Sequence, residues 1–240
     1  MFLNTTYTLL YMSSLGLLFL MAWSYFLLLY FGGGAIFERV CLYLYRKGLV
    51  NQIVKAQVSE MQIAKEKRNS LLSTFIFGLS VLPVIALLRS GHIEVLDNTL
   101  VNVLVGLMVL SIWNEVHFFL VHRLLHTPFL MRHIHKVHHQ SVIPTVYSVF
   151  SFHWIEALLL STVPLCIIPF VAFAPLAIVL YPVASILLNF AGHCNYRFGS
   201  GKSKSSMKFS THHNEHHHHF SKSYGFASQF LDKLFSKQKK

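Results

Sequence analysis

Residues 117–140 read HFFLVHRLLHTPFLMRHIHKVHHQ and follow directly on an apolar run. They hold two spaced sets, His122-Arg-Leu-Leu-His126 and His135-Lys-Val-His138-His139. A third set follows later, His212-His213-Asn-Glu-His216-His217-His218-His219. On a helix, residues four apart share a face, so His122 and His126 can grip one centre. In the second set His135 shares a face with both later histidines, and His138 and His139 diverge enough to serve two adjacent metals. His213, His216 and His217 repeat that spacing. Eight imidazoles result, about four nitrogen ligands for each of two metals, and imidazole suits zinc, copper, iron or nickel alike.

The rest of the chain places these histidines at a membrane. Of 240 residues 54% are hydrophobic and 12% charged, and mean hydropathy is +0.51. Soluble domains carry about 25% charged residues. The net charge of +11 does not indicate nucleic acid, because the basic residues flank apolar spans, where anionic headgroups attract them. Cys41, Cys166 and Cys194 form no CxxC pair, which points away from a disulfide framework or a thiolate zinc site.

Residues 7–31 carry no charge and are long enough to span, with Gly32-Gly33-Gly34 expected to end the helix. They lack a signal peptide's basic start and short apolar core, which predicts a retained anchor. The apolar spacing within 50–64 predicts an amphipathic helix, either on the membrane surface or as a connector. Further spans are expected at 71–88, kinked at Pro83, and at 100–121. Residues 157–192 are expected to form a hairpin turning at 169–175, where prolines interrupt helix. The fold class is therefore an all-α polytopic membrane protein with about four to five membrane segments. Residues 1–98 form an anchor region, and residues 99–240 form the histidine-bearing domain. The 35–70 segment is basic and the 90–98 linker is not, which places the first on the cytoplasmic side. Counting spans from there brings all the histidine sets to that same side.

Around the eight imidazoles stand further candidates. His193, in Gly-His-Cys-Asn, is a ninth ligand. Glu156 and His153, in His-Trp-Ile-Glu, support the site, with Glu156 the candidate catalytic carboxylate. Glu115 is a candidate partner for a ligand N–H, and Arg123 an anchor at the headgroups or a carboxylate partner. The sequence leaves the roles of His117, His133, His153, His212, His218 and His219 open, and His92 falls on the opposite side. The competing reading is a metal transporter or metal-binding membrane protein. Transporters place polar groups near the midplane, whereas these histidines sit at or beyond the span ends.

Over roughly residues 100–236 the chain resembles the fatty acid hydroxylase/sterol desaturase superfamily, the membrane-bound histidine-rich di-iron oxygenases. The family boxes stand as His122–His126, with Glu115 before it; as His135–His139, followed by Ser141, Pro144, Thr145 and Ser148; and as His212–His217, followed by Phe220, Tyr224-Gly225 and Leu231-Asp232. Two positions depart from the pattern: Trp154 replaces the usual proline after His153, and Asn189 stands where one branch has a further histidine. The resemblance implies two iron ions, O2 as co-substrate, and hydroxylation or desaturation of a sterol, fatty acyl or related lipid in lipid biosynthesis. No cytochrome b5-like His-Pro-Gly-Gly segment occurs. Electrons would therefore come from an external donor such as cytochrome b5, or ferredoxin with its reductase. The expected location is a bacterial inner membrane or endoplasmic reticulum, with the boxes facing the cytoplasm.

Overall fold

The structure, a computed structural model, describes residues 10–198, 209–219 and 224–235, with the side chains of Phe209, His218 and His219 outside that set. It is mainly helical. Four helices are long and apolar enough to cross a membrane: α1 (Leu15–Arg46), α2 (Glu60–Arg89), α3 (Leu100–Leu125) and, after the short α4 (Trp154–Ser161), α5 (Pro175–His193). At 1.5 Å per residue even α5 extends ~29 Å, close to the ~30 Å hydrocarbon core. Each start has a local cause. The hydroxyls of Ser14, Ser59 and Thr99 accept hydrogen bonds from the amides of Leu17, Gln62 and Asn102 at 3.1–3.2 Å. Pro175, which has no N–H to satisfy, opens α5. Two more helices, α6 (Phe209–His219) and α7 (Phe230–Phe235), complete the described chain.

The triple glycine does not end the first helix. A wide π-turn over Leu28–Gly33 carries it on to Arg46. A side chain on Gly33 would meet the Phe190 ring at 3.3 Å. The glycines therefore let α1 pack closely on α5, as small residues do between membrane helices. Tyr30, fully buried there, donates to the Tyr147 carbonyl at 2.7 Å.

The 50–64 segment is not one amphipathic helix. Val50–Gln52 form strand β1, which pairs antiparallel with β2 (Tyr196–Phe198), and helix begins only at Glu60. Asn195 is the cause. It adopts φ +57°, which Asn tolerates better than most residues. In that conformation its carbonyl accepts from Ile53 N at 2.9 Å, and its carboxamide brackets the backbone of Val54 at 3.0 Å on both sides. Backbone groups already bonded across the fold are not available to a local helix.

The 157–192 hairpin has one regular limb. After α4 the chain descends through turns, consistent with the donors lost at Pro164 and Pro169. It reaches Phe173, which bridges to Val95 in the α2–α3 linker, and Leu176 N donates to Asn98 Oδ1 at 2.9 Å. The turn thus lies at the linker end of the bundle, and α5 returns to the end that carries the histidines.

Candidate metal centre

Four separate segments deliver imidazoles to one end of the bundle. The last turns of α3 carry His122 and His126. A helical run over 128–139 follows, and its π-turn at Met131–His135 alters the helical phase. The His135 ring comes to 5.0 Å from that of His122. α5 ends on His193, and α6 supplies His213, His216 and His217.

These nine side chains fall into two adjacent groups. One holds His122, His126, His135, His139 and His216, and the other His138, His193, His213 and His217. In each HxxHH box the i, i+4 pair stays together, and the residue between crosses to the other group. His138 leaves His135 and His139; His216 leaves His213 and His217. The groups touch, with the His139 ring 4.8 Å from that of His217. The sequence expectation of divergence within each box matches this arrangement, and the split is five and four rather than four and four.

Hydrogen bonds fix several tautomers. A carbonyl only accepts, so Nδ1 of His122 carries its proton toward Tyr224 O, and Nδ1 of His193 toward Asn189 O, both at 2.9 Å. Glu156 Oε1 lies 2.8 Å from His135 Nδ1. The lone pairs on Nε2 of His193 and His135 therefore point inward. There they meet other Nε2 atoms: His213 at 2.9 Å and His138 at 3.4 Å from His193, and His139 at 3.2 Å from His135.

Burial keeps these rings neutral. It holds His135 down to about 3, and it holds His138, His139, His213 and His217 well below the ordinary imidazole range, with neighbouring histidines adding to the effect. Burial pushes Glu156 the other way, well above the usual carboxylate range.

The donor set fits metal ions. Nitrogen lone pairs converging on one another repel unless a proton or a cation lies between them, and both ring nitrogens of the fully buried His217 have no partner among the described residues. Candidate ligand atoms in each group lie within 4.8 Å of one another. Imidazole nitrogens bound at ~2.1 Å stand at most about 4.2 Å apart, so shifts of a few tenths of an ångström would close each group on an ion.

Behind the imidazoles lie carboxylates, two of which the sequence reading misplaced or passed over. Glu115 does not reach a ligand N–H. It accepts from Ala227 N at 2.7 Å and from Ser228 N and Oγ at 3.2 and 3.0 Å. Asp232 accepts from the amides of Tyr224 and Gly225 at 2.8 and 3.0 Å. Together they pin the 224–228 turn whose Tyr224 carbonyl orients His122. Gly225 is obligatory in that turn, since a Cβ there would run into the Ser228 carbonyl oxygen. Glu66, passed over in sequence as one more charge on a basic segment, is buried. It accepts from Gln62 Nε2, Ser141 Oγ and Thr145 Oγ1 at 2.8, 2.7 and 2.6 Å, so α2 holds the loop after the second box. The motif residues Ser141 and Thr145 hinted at a missing acceptor. Asn195 joins the same framework through Asn214 at 3.3 Å.

The remaining candidates are placed elsewhere. His117 Nε2 meets Thr162 Oγ1 at 3.0 Å, His133 Nδ1 meets the Phe129 carbonyl, and His153 caps α4. His212 lies 3.8 Å from Glu215, and His92 pairs with Ser90 on the linker side. Arg123 lies over the Phe119 ring at 6.0 Å. Cys194 is buried beside Ser210 and joins neither group.

Below the histidines a cavity of about 170 Å3 runs between α1, α2, α3 and α5, lined by Phe26, Phe77, Phe118, Phe150, Phe152 and Tyr181 among others. The Phe118 ring lies tilted 4.9 Å from His122, and Phe152 lies 5.1 Å from His138. One aromatic layer separates this apolar space from both groups.

Four helices apolar enough to cross a membrane, carrying a buried polyhistidine cluster over an apolar cavity, define a class of integral membrane proteins with an end that could hold metal. A model of the fatty acid hydroxylase family matches residues 107–237, and the chain belongs to that family, within the fatty acid hydroxylase/sterol desaturase superfamily. A stretch of 70 residues, 29% of the chain, is 37% identical to the "Probable Delta(7)-sterol 5(6)-desaturase" of Neurospora crassa and spans 20% of that protein's length. No solved structure matches the chain.

Proposed function

We infer that this chain is a membrane-bound di-iron oxidoreductase that hydroxylates or desaturates a lipid. The observation carrying this reading is the convergence of nine imidazoles in two touching groups directly above an apolar cavity. In it, His122, His126, His135, His139 and His216 hold one iron, and His138, His193, His213 and His217 the other. Bound there, the irons would supply activation of O2 with two electrons from an external donor, cytochrome b5 or ferredoxin with its reductase. In hydroxylation one oxygen atom enters the product as an alcohol and the other leaves as water with two protons taken up; in desaturation two hydrogens leave and both oxygens become water.

The protein's own part is positioning and exclusion. With a cation bound beside it, Glu156 would be ionised and would accept from His135 Nδ1, so that Nε2 stays a ligand. Tyr224 O and Asn189 O do the same for His122 and His193. The aromatic layer at Phe118 and Phe152 keeps water from the reacting end, and the cavity holds the hydrocarbon chain straight beneath it. Residues 99–240 carry this apparatus, and 1–98 anchor it and brace it through Glu66. The membrane is a bacterial inner membrane or endoplasmic reticulum, with the histidines toward the cytoplasm. A transporter reading is weaker, because the imidazoles cap the bundle rather than sit at its middle.

The test is metal per chain in detergent-purified protein, beside His138→Ala, together with lipid products formed under 18O2 with reductant. About two irons per chain, reduced in the variant, and a labelled alcohol or a new alkene are expected. A well-folded wild type that binds no transition metal would falsify the reading.

A further inference from the structure

A second cavity, about 210 Å3, lies between α3, α5 and the 226–228 turn. Asn114, Tyr181, Ser185 and Phe226 line both this crevice and the aromatic-lined cavity below the histidines, so they form the partition between them. The partition is held by side chains alone. Tyr181 OH donates to Asn114 Oδ1 at 2.7 Å, and the Phe226 ring rests 5.1 Å from that of Phe118. On the crevice's outer rim Ile112 and Leu188 are 61% and 40% exposed, on helices that cross the membrane.

The helices leave room here for a reason. About two turns closer to the linker, Gly106 meets Ala177 so closely that a Cβ on the glycine would lie 2.8 Å from that of alanine. Beyond this contact the bulkier Asn114 and Tyr181 stand between α3 and α5. A carboxamide and a phenol are costly at membrane depth, and such groups mark pathways by default. The one acid on the crevice, Glu115, already accepts from the 227–228 amides. The walls therefore suit an uncharged hydrocarbon chain, with its headgroup left outside.

We propose that this crevice is a lipid-entry site: an acyl chain of a bilayer lipid inserts between α3 and α5, parts Tyr181 from Asn114, turns Phe226 aside and passes into the cavity below the histidines. The inference rests on the lipid-oxidising reading only for what the chain is delivered to, and its test reads neither activity nor product.

Wild-type protein in phosphatidylcholine nanodiscs containing a phosphatidylcholine with a mid-chain diazirine is irradiated, and the labelled residues are mapped by mass spectrometry. Label is expected inside, on Phe118, Val149 and Phe150, as well as on the lipid-facing Leu104 and Met108. Ser185→Trp fills the partition and Ser111→Trp the outer rim. In whichever variant retains wild-type helical content, interior label is expected to fall to background while Leu104 and Met108 stay labelled. Interior label unchanged in such a variant, or absent from the wild type, overturns the proposal. So does a variant that changes only the oligomeric state, which would make the crevice a contact between chains. Metal per chain, measured on the same samples, reports separately on the oxidase reading.

Discussion

The two histidine groups are built from the same residue type and held differently. In the five-histidine group, His135 leans on a carboxylate and His122 on a carbonyl that two further carboxylates keep in place. In the four-histidine group, His193 leans on its own helix, while Nδ1 of His138 and of His217 have no partner among the described residues. Outer partners orient a ligand ring and raise its basicity. The first group is therefore preorganised by the protein, whereas the second depends more on the ion itself to order it.

The sharpest way to break that contrast is to remove a ligand from each group. If two ions act as a unit, as proposed, His217→Ala and His135→Ala should each lower turnover by at least ~100-fold. The two should differ in residual metal: loss of His217 should empty the weaker group alone, and metal analysis of the two proteins side by side decides the point. Next in size is Glu156→Ala. It should weaken metal retention by about 10–100-fold and act on the five-histidine group only, with Glu156→Gln recovering part through its amide oxygen. Chelator titration followed by iron counting reads this, and equal loss from both groups would erase the asymmetry. Smaller still is Gly225→Ala, which displaces the Tyr224 carbonyl from His122. A loss of about tenfold in metal affinity is expected, with the helical circular dichroism unchanged.

The least effect is the pH dependence of the metal-free protein. The imidazole of His135 titrates near 6.5 when unfolded and is held to about 3 by burial when folded. Below pH 6.5 the unfolded chain takes up protons that the folded chain refuses, so stability should fall steadily from pH 6.5 toward 3. His138, His139, His213 and His217 shift in the same direction. Metal-free protein should show the slope by thermal unfolding. A profile flat across that range would mean the histidines are solvated and the cluster is not formed without metal.

What could be read in sequence was what local periodicity governs. The spans at 71–88 and 100–121 follow from the length of their apolar runs, and the faces shared by His122 with His126 and by His135 with His139 follow from a 3.6-residue repeat. Where the chain's conformation depends on a distant partner, local pattern misled. Residues 50–52 have helical spacing but form a strand because Asn195, some 140 positions away, claims the adjoining backbone. Gly32–Gly34 looked like a terminator, yet Phe190 rewards their lack of side chains. Glu115 lies at the family's usual distance before the first box, but distance along a chain does not say that its oxygens face residues 227 and 228. Glu66 offered no pattern at all; its meaning lies in the hydroxyls of Ser141 and Thr145.

The crossing of His138 and His216 between groups also bears on how the protein is made. Each group needs imidazoles from α6: His216 in one, His213 and His217 in the other. α6 follows all four membrane-crossing helices in the chain. During synthesis, neither ion can be fully enclosed until those helices have been inserted and residue 217 has left the ribosome. Metal loading would therefore be a late step in biogenesis, and a chain truncated before α6 would present an open array of imidazoles to whatever divalent ion the cell offers.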